Sequence, residues 1–224
     1  MKLRQARSAA AQRFHATGRP ASSTPWREAS WCALDLELTG LNPQADHIIA
    51  VGIVPIEWGR VAVGHARYTL VATDRPSNPG AVLTHKLRVA DLAGAPALDE
   101  ALDAILEELT GRVPVFHVAA VERAFLAPLL KRRRVRMPAA ADTESIGRLW
   151  LGERAVMPRG GLSLERLAER LGQRAEAPHH ALADALTTAQ AFIALASHLD
   201  ASSPQTVGSL IAAGETPPTP LRFR

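Results

Sequence analysis

The sequence predicts a mixed α/β domain, one sheet antiparallel at its start and parallel at its finish, covered by helices. Three observations carry this. Two β-rich runs, residues 48–58 and 61–72, are separated only by Gly59 and Arg60, which is the pattern of an antiparallel hairpin. A short apolar strand at 113–116 stands between two stretches of helical character, as a strand entering a parallel arrangement does. The 224 residues are 47% hydrophobic, enough to bury a sizeable core in one domain plus tails.

In chain order, residues 1–29 are rich in Arg, Ala, Ser and Thr and contain Pro20 and Pro25. They read as a basic arm or an ordered extension, with a short helix at 8–14. The domain proper spans 30–200. Residues 30–36 form a short apolar run that reads as a buried strand, and the hairpin follows. Leu98, Leu102, Ile105, Leu106 and Leu109 recur with helical period over 98–109. The strand 113–116 leads into a helix at 120–130. A helix at 162–171 has Ser163 as its cap and Gly172 as its stop. A long helix at 181–199 is entered through Pro178. In 201–224, Pro204, Pro217, Pro218 and Pro220 argue against further helix, and the segment reads as a tail.

Composition narrows the function classes. Aromatics are 4%, so aliphatic side chains must fill the core. Lys and Arg number 26 against 22 acidic residues, a net charge of +4, which suits a polyanionic partner without demanding one. Cys32 is the only cysteine, which excludes an internal disulfide or a thiolate metal cluster and fits a reducing cytoplasm. No apolar stretch reaches membrane-spanning length, and Lys2, Arg4 and Arg7 are not followed by the apolar core of a secretory signal.

Asp35-Leu36-Glu37 ends the first apolar strand and runs on into Leu38-Thr39-Gly40-Leu41. Carboxylates two apart on a strand share a face, where they repel each other. A divalent cation with a taste for hard oxygen ligands, Mg²⁺ or Mn²⁺, resolves that conflict. A lone D-x-E is more often a solvated strand end; D-x-E-x-T-G after a buried strand is more specific. Asp184 lies in a strong helix among Ala181, Ala185 and Thr188, small residues that allow close approach to another element. His179, five positions earlier, sits at the helix entrance. Its neighbour His180 leaves the choice between them ambiguous, and motif spacing favours His179. Glu122 follows the strand 113–116 after a turn that begins at His117. Alone it is an ordinary helix-surface residue, and Arg123 is either a phosphate contact or a solubilising charge.

Taken in order, these segments resemble the DEDDh superfamily of 3′→5′ exonucleases, above all the proofreading epsilon subunit of bacterial DNA polymerase III. Its first motif, D-x-E-T-T-G, matches Asp35, Glu37, Thr39 and Gly40, with Leu38 as the departure. Its last, H-x-A-x-x-D-A, matches His179, Ala181, Asp184 and Ala185. Its middle motif, H-N-x-x-F-D, aligns with His117, Val118, Val121 and Glu122, so Val stands for Asn and Glu for Asp. Weaker matches are residues 81–85 and Asp142-Thr143-Glu144. The likeness covers about residues 30–200.

The resemblance implies a ribonuclease H-like fold with a mixed five-stranded sheet flanked by helices. It implies two Mg²⁺ or Mn²⁺ ions held by Asp35, Glu37, Glu122 and Asp184, with His179 as general base. Nucleoside 5′-monophosphates would be the products. Thr39, Gly40, Leu41, His117 and Arg123 would contact substrate, with the cationic run Lys131, Arg132, Arg133 and Arg134 either guiding the strand or solvating a helix end. The implied partners are single-stranded DNA or the 3′ ends of duplex DNA, and a DNA polymerase. Two other readings share these motifs: an exonuclease on RNA or short oligonucleotides, and a catalytically weak nucleic-acid-binding or polymerase-associated module.

Overall fold

A computed structural model describes residues 8–152, 161–175 and 178–214. The chain opens with α1 (Ala9–Ala16), capped by Ser8. A segment of turns then leads to β1 (Trp31–Leu38), which pairs antiparallel with β2 (Ile48–Glu57). After the turn at Trp58 and Gly59 come β3 (Arg60–Val61) and β4 (Arg67–Leu70), both antiparallel to β2. The run 61–72, read from sequence as one strand, is broken by a 3-10 turn at Val63–His65.

Next come α2 (Pro79–His85), α3 (Leu98–Leu109), β5 (Val113–Phe116) and α4 (Ala120–Arg132). They are followed by β6 (Ala141–Asp142), α5 (Thr143–Trp150), α6 (Leu164–Arg170), α7 (Ala181–Ser202) and α8 (Val207–Ala213). The sheet order is β3-β2-β1-β5-β6, with β4 also on β2. β1–β5 and β5–β6 are parallel, so the antiparallel start and parallel finish are both present. The sheet has six strands rather than five.

Alternation along β1 divides the core in two. Cys32, Leu34, Leu36 and Leu38 pack on one side with residues of α1, α3 and α4. Trp31 and Ala33 pack on the other with residues of α7 and α8. Side chains two apart on a strand share a face. Asp35 and Glu37 therefore continue the Trp31–Ala33 face, toward α7.

Residues 8–29 and 203–214 also belong to this body. The extension contributes Ala10, Ala11 and Phe14 to one core and Trp26 and Ala29 to the other. Within the segment read as a tail, 201–224, residues Val207–Ala213 form α8. Thr206 caps it, and Val207 and Leu210 are buried. The amide of Trp26 donates to Gln205 O at 3.1 Å, and those of Val207 and Gly208 donate to Thr24 O and Ser22 O at 2.9 and 2.8 Å. The prolines at 217, 218 and 220 lie outside the described residues. Among the described residues no helix is long and apolar enough to cross a membrane.

Candidate active site

β1 carries the first two acids past the end of β5. The β1–β5 pairing stops at Ala33 and Val115, so Asp35 and Glu37 lie beyond the last paired residue of β5. Across β2 they face Gly52 and Ala50, the small residues of that strand, which leave room above the sheet. α7 fills it. Asp184 is in the first turn of this helix, where the positive end of the helix dipole favours a carboxylate. Oxygen atoms of Asp35, Glu37 and Asp184 all come within 4.8 Å of one another.

His179 stands just before α7, exposed, with φ +64°. Its backbone amide donates to Asp184 Oδ2 at 2.8 Å, so the acid fixes the turn that carries the histidine. Sequence spacing showed only that His179 and Asp184 do not stack on one helical face; the hydrogen bond supplies the connection.

Glu122 arrives from the opposite side of β1, in the first turn of α4. It is buried, and its Oε2 has no hydrogen-bond partner among the described residues. The turn before it is held by Asp142. That carboxylate accepts from Val118 N at 3.1 Å, Ala119 N at 3.0 Å and Glu144 N at 3.0 Å. One residue thus ties β6, α5 and the start of α4 together. The residue at the tip of the turn is Val118, at φ +60°, a conformation that a β-branched side chain rarely adopts.

The electrostatics are those of crowded, buried acids. Asp35 is pushed well above the usual carboxylate range, first by burial and then by Glu122, Asp184 and Glu37. Burial and Asp184 raise Glu37 to about 7. Burial raises Asp184 to about 6, against the hydrogen bond from the His179 amide. Burial raises Glu122 to about 8, with Asp142 adding to it. Glu122 is outside the 4.8 Å cluster, yet it is the strongest charge acting on Asp35. Three converging carboxylates and a buried, unpartnered carboxylate oxygen form a hard-oxygen donor set, which suits Mg²⁺ or Mn²⁺.

A family model described as "Exonuclease" matches residues 32–192, which include every one of these acids. The chain belongs to this exonuclease family. Among its relatives is a DNA polymerase III subunit epsilon-like protein of Rhodobacter capsulatus, 31% identical over 193 residues. That match takes in 85% of this chain and 27% of the relative, so the chain spans about a quarter of the relative's length. Solved structures with the same fold include Exonuclease X in complex with 5′ overhanging duplex DNA, at TM-score 0.64 and 20% identity. It is matched over 82% of this chain and 99% of that one. Escherichia coli Exonuclease I in complex with a dA16 oligonucleotide has TM-score 0.63 and 17% identity, over 78% and 41% of the two chains. The fold is the ribonuclease H-like fold of these nucleases, as expected from the sequence.

The remaining residues singled out from sequence are placed unevenly in this exonuclease. Thr39 is fully buried and faces inward: its hydroxyl donates to Asp46 Oδ1 at 3.1 Å and accepts from His47 N at 2.9 Å. Gly40 lies where a Cβ would stand 2.5 Å from both Asn78 Nδ2 and Asp46 Oδ2, so glycine lets three segments meet. Of Thr39, Gly40 and Leu41, only Leu41 is open, at 62% exposure. His117 uses both ring nitrogens inside the protein, with Thr143 Oγ1 and Leu162 O, each at 2.9 Å. The Leu162 carbonyl can only accept, so Nε2 carries a proton, and burial lowers the ring to about 4, leaving it neutral at pH 7. His117 and Thr39 thus hold the site's scaffold instead of presenting free groups. Arg123 is half-buried, and among the described residues it has no acidic partner. In the cationic run, Arg133 is committed to Asp99 and Asp103, while Lys131, Arg132 and Arg134 are exposed. Sequence reasoning quoted Asp142 only as a weak match and gave no role to Gly52 or Tyr68. Asp142 and Gly52 meet backbone atoms and Tyr68 meets the His180 ring, tertiary contacts that leave no periodic signal.

Proposed function

We propose that the chain is a divalent-metal-dependent 3′→5′ exonuclease that releases nucleoside 5′-monophosphates from DNA, in proofreading or repair. The observation that carries this reading is the convergence of Asp35, Glu37 and Asp184 within 4.8 Å, with Glu122 unpartnered beside Asp35, inside a chain of the exonuclease family. In this reading the four acids hold two Mg²⁺ or Mn²⁺ ions. Bound there, such ions supply an activated water and stabilise the leaving oxygen. Asp184 holds the His179 turn in place through the amide hydrogen bond. His179, exposed at the edge of the cluster, takes the proton from the attacking water as the general base. Leu41 and Arg123 are the groups left free to meet the strand. DNA as substrate is supported by two structural neighbours that hold DNA, and a polymerase as partner by the name of the Rhodobacter relative.

The test is a time course on DNA strands labelled at the 3′ or the 5′ end, with Mg²⁺, Mn²⁺ or chelator, alongside a matched RNA strand. Expected are mononucleotides released first from the 3′ label, a descending ladder from the 5′ label, and no product in chelator. Early internal fragments, or activity that survives chelation, would overturn the reading. Cleavage of RNA in preference to DNA would move the substrate to the alternative class.

A further inference from the structure

Asp35, Gly52 and Tyr68 lie in one line across the sheet, since Gly52 pairs with Asp35 on β1 and with Tyr68 on β4. Directly paired residues present their side chains on one face, here the face under α7. Gly52 presents none. A Cβ at this position would stand 2.0 Å from Ala181 O, 2.2 Å from Ala181 C and 2.5 Å from Leu182 N. The backbone of the first residues of α7 thus occupies the space of the missing side chain. Beside it, the Tyr68 ring stacks on His180, with centroids 4.5 Å apart and planes at 24°. The residue before α7 and the first two within it are therefore gripped from below and from the side. His179 is one position before this grip and Asp184 is two positions after it.

We propose that Gly52 and Tyr68 are positioning residues: together they form a seat that sets the first turn of α7, and with it His179 and Asp184, against Asp35 and Glu37. The inference rests on the metal-dependent reading of the site. An added methyl at Gly52 meets backbone, which cannot rotate away, so the helix start must lift by roughly 1 Å, enough to cost a catalytic arrangement about a hundredfold. Loss of the Tyr68 ring frees His180 while leaving the sheet intact, since Tyr68 is on a four-residue strand and is 36% exposed.

The experiment uses the full chain and four proteins: wild type, Gly52→Ala, Tyr68→Ala and Tyr68→Phe. Mn²⁺ binding is measured by calorimetry without substrate, Tm in chelator, and kcat and KM on a labelled DNA strand. For Tyr68→Ala we expect Mn²⁺ affinity and kcat each lower by about tenfold, the scale of one aromatic stack. Its KM and Tm should stay near wild type, and Tyr68→Phe should restore both losses. For Gly52→Ala we expect kcat lower by about a hundredfold and Mn²⁺ binding weakened further. If Gly52→Ala fails to fold, the Tyr68 pair decides alone. Wild-type Mn²⁺ affinity in Tyr68→Ala, or a rise in KM with kcat unchanged, overturns the seat and makes Tyr68 a strand contact. A wild type that binds no Mn²⁺ overturns the metal-dependent reading itself, and the seat with it.

Discussion

At the scale of single residues, Glu122 and Val118 are the informative positions. Glu122 is one methylene longer than the residue the resemblance led us to expect. It reaches inward from the first turn of α4 to become the main charge on Asp35. A shorter acid on the same backbone would draw back from that cluster. Glu122→Asp is therefore expected to lower kcat/KM, by tenfold for each ~1.4 kcal/mol of lost transition-state stabilisation, and Glu122→Ala more. Steady-state rates in Mg²⁺ and in Mn²⁺ check this; an alanine variant as fast as wild type would remove Glu122 from the site. Val118 makes a separate point about stability. Its backbone sits at φ +60° because its amide and that of Ala119 must both reach Asp142. Asn tolerates that region and Val does not. Val118→Asn should raise stability by about 1 kcal/mol, seen as a higher denaturant midpoint, and a lower midpoint would show that the valine side chain matters more than its strain.

At the scale of elements, α8 is the informative piece. α8 is joined to the N-terminal extension by backbone hydrogen bonds and packs on β6 and α5. A chain cut after Ser202 loses the burial of Val207 and Leu210, worth about 1.5–3 kcal/mol for each such side chain, and exposes Trp26. We expect such a truncation to lower Tm by several degrees at least, measured by thermal melt; an unchanged Tm would return residues 203–214 to the status of a tail. Legibility from sequence followed the same lines. Asp35 and Glu37 could be read because period-two alternation puts them on one face. The long helix with Asp184 could be read from its length. β6 has two residues, too few for any period. α8 has an apolar sequence, but Pro204 before it and the prolines after it argued against a helix there. Gly52 could be read as a small residue in a strand, and only the structure supplies the helix that presses on it.

At the scale of the whole molecule, the crowded acids couple stability to pH. In the folded chain Glu122, Glu37 and Asp184 titrate near 8, 7 and 6, above the ordinary values of 4.5, 4.5 and 3.8. Between those limits the folded state binds more protons than the unfolded one, so its stability falls as pH rises. Without metal, Tm should therefore climb as pH drops from about 8 toward 6. A divalent ion favours the ionised acids, so the Tm gain on adding Mg²⁺ or Mn²⁺ should be largest at the alkaline end. Melts in chelator and in metal across this range test both signs. A metal-free Tm that rises with pH over the same interval would contradict the crowding described above.

Residues 8–29 reach both cores, with Phe14 on the side of α3 and α4 and Trp26 on the side of α7. A chain segment anchored in both layers makes each layer's opening the other's loss. Neither half can melt as an independent foldon, since the strap would have to leave both. The two packed layers are in this sense one cooperative unit, and global melting of the layer that holds α7 takes the layer of α3 and α4 with it.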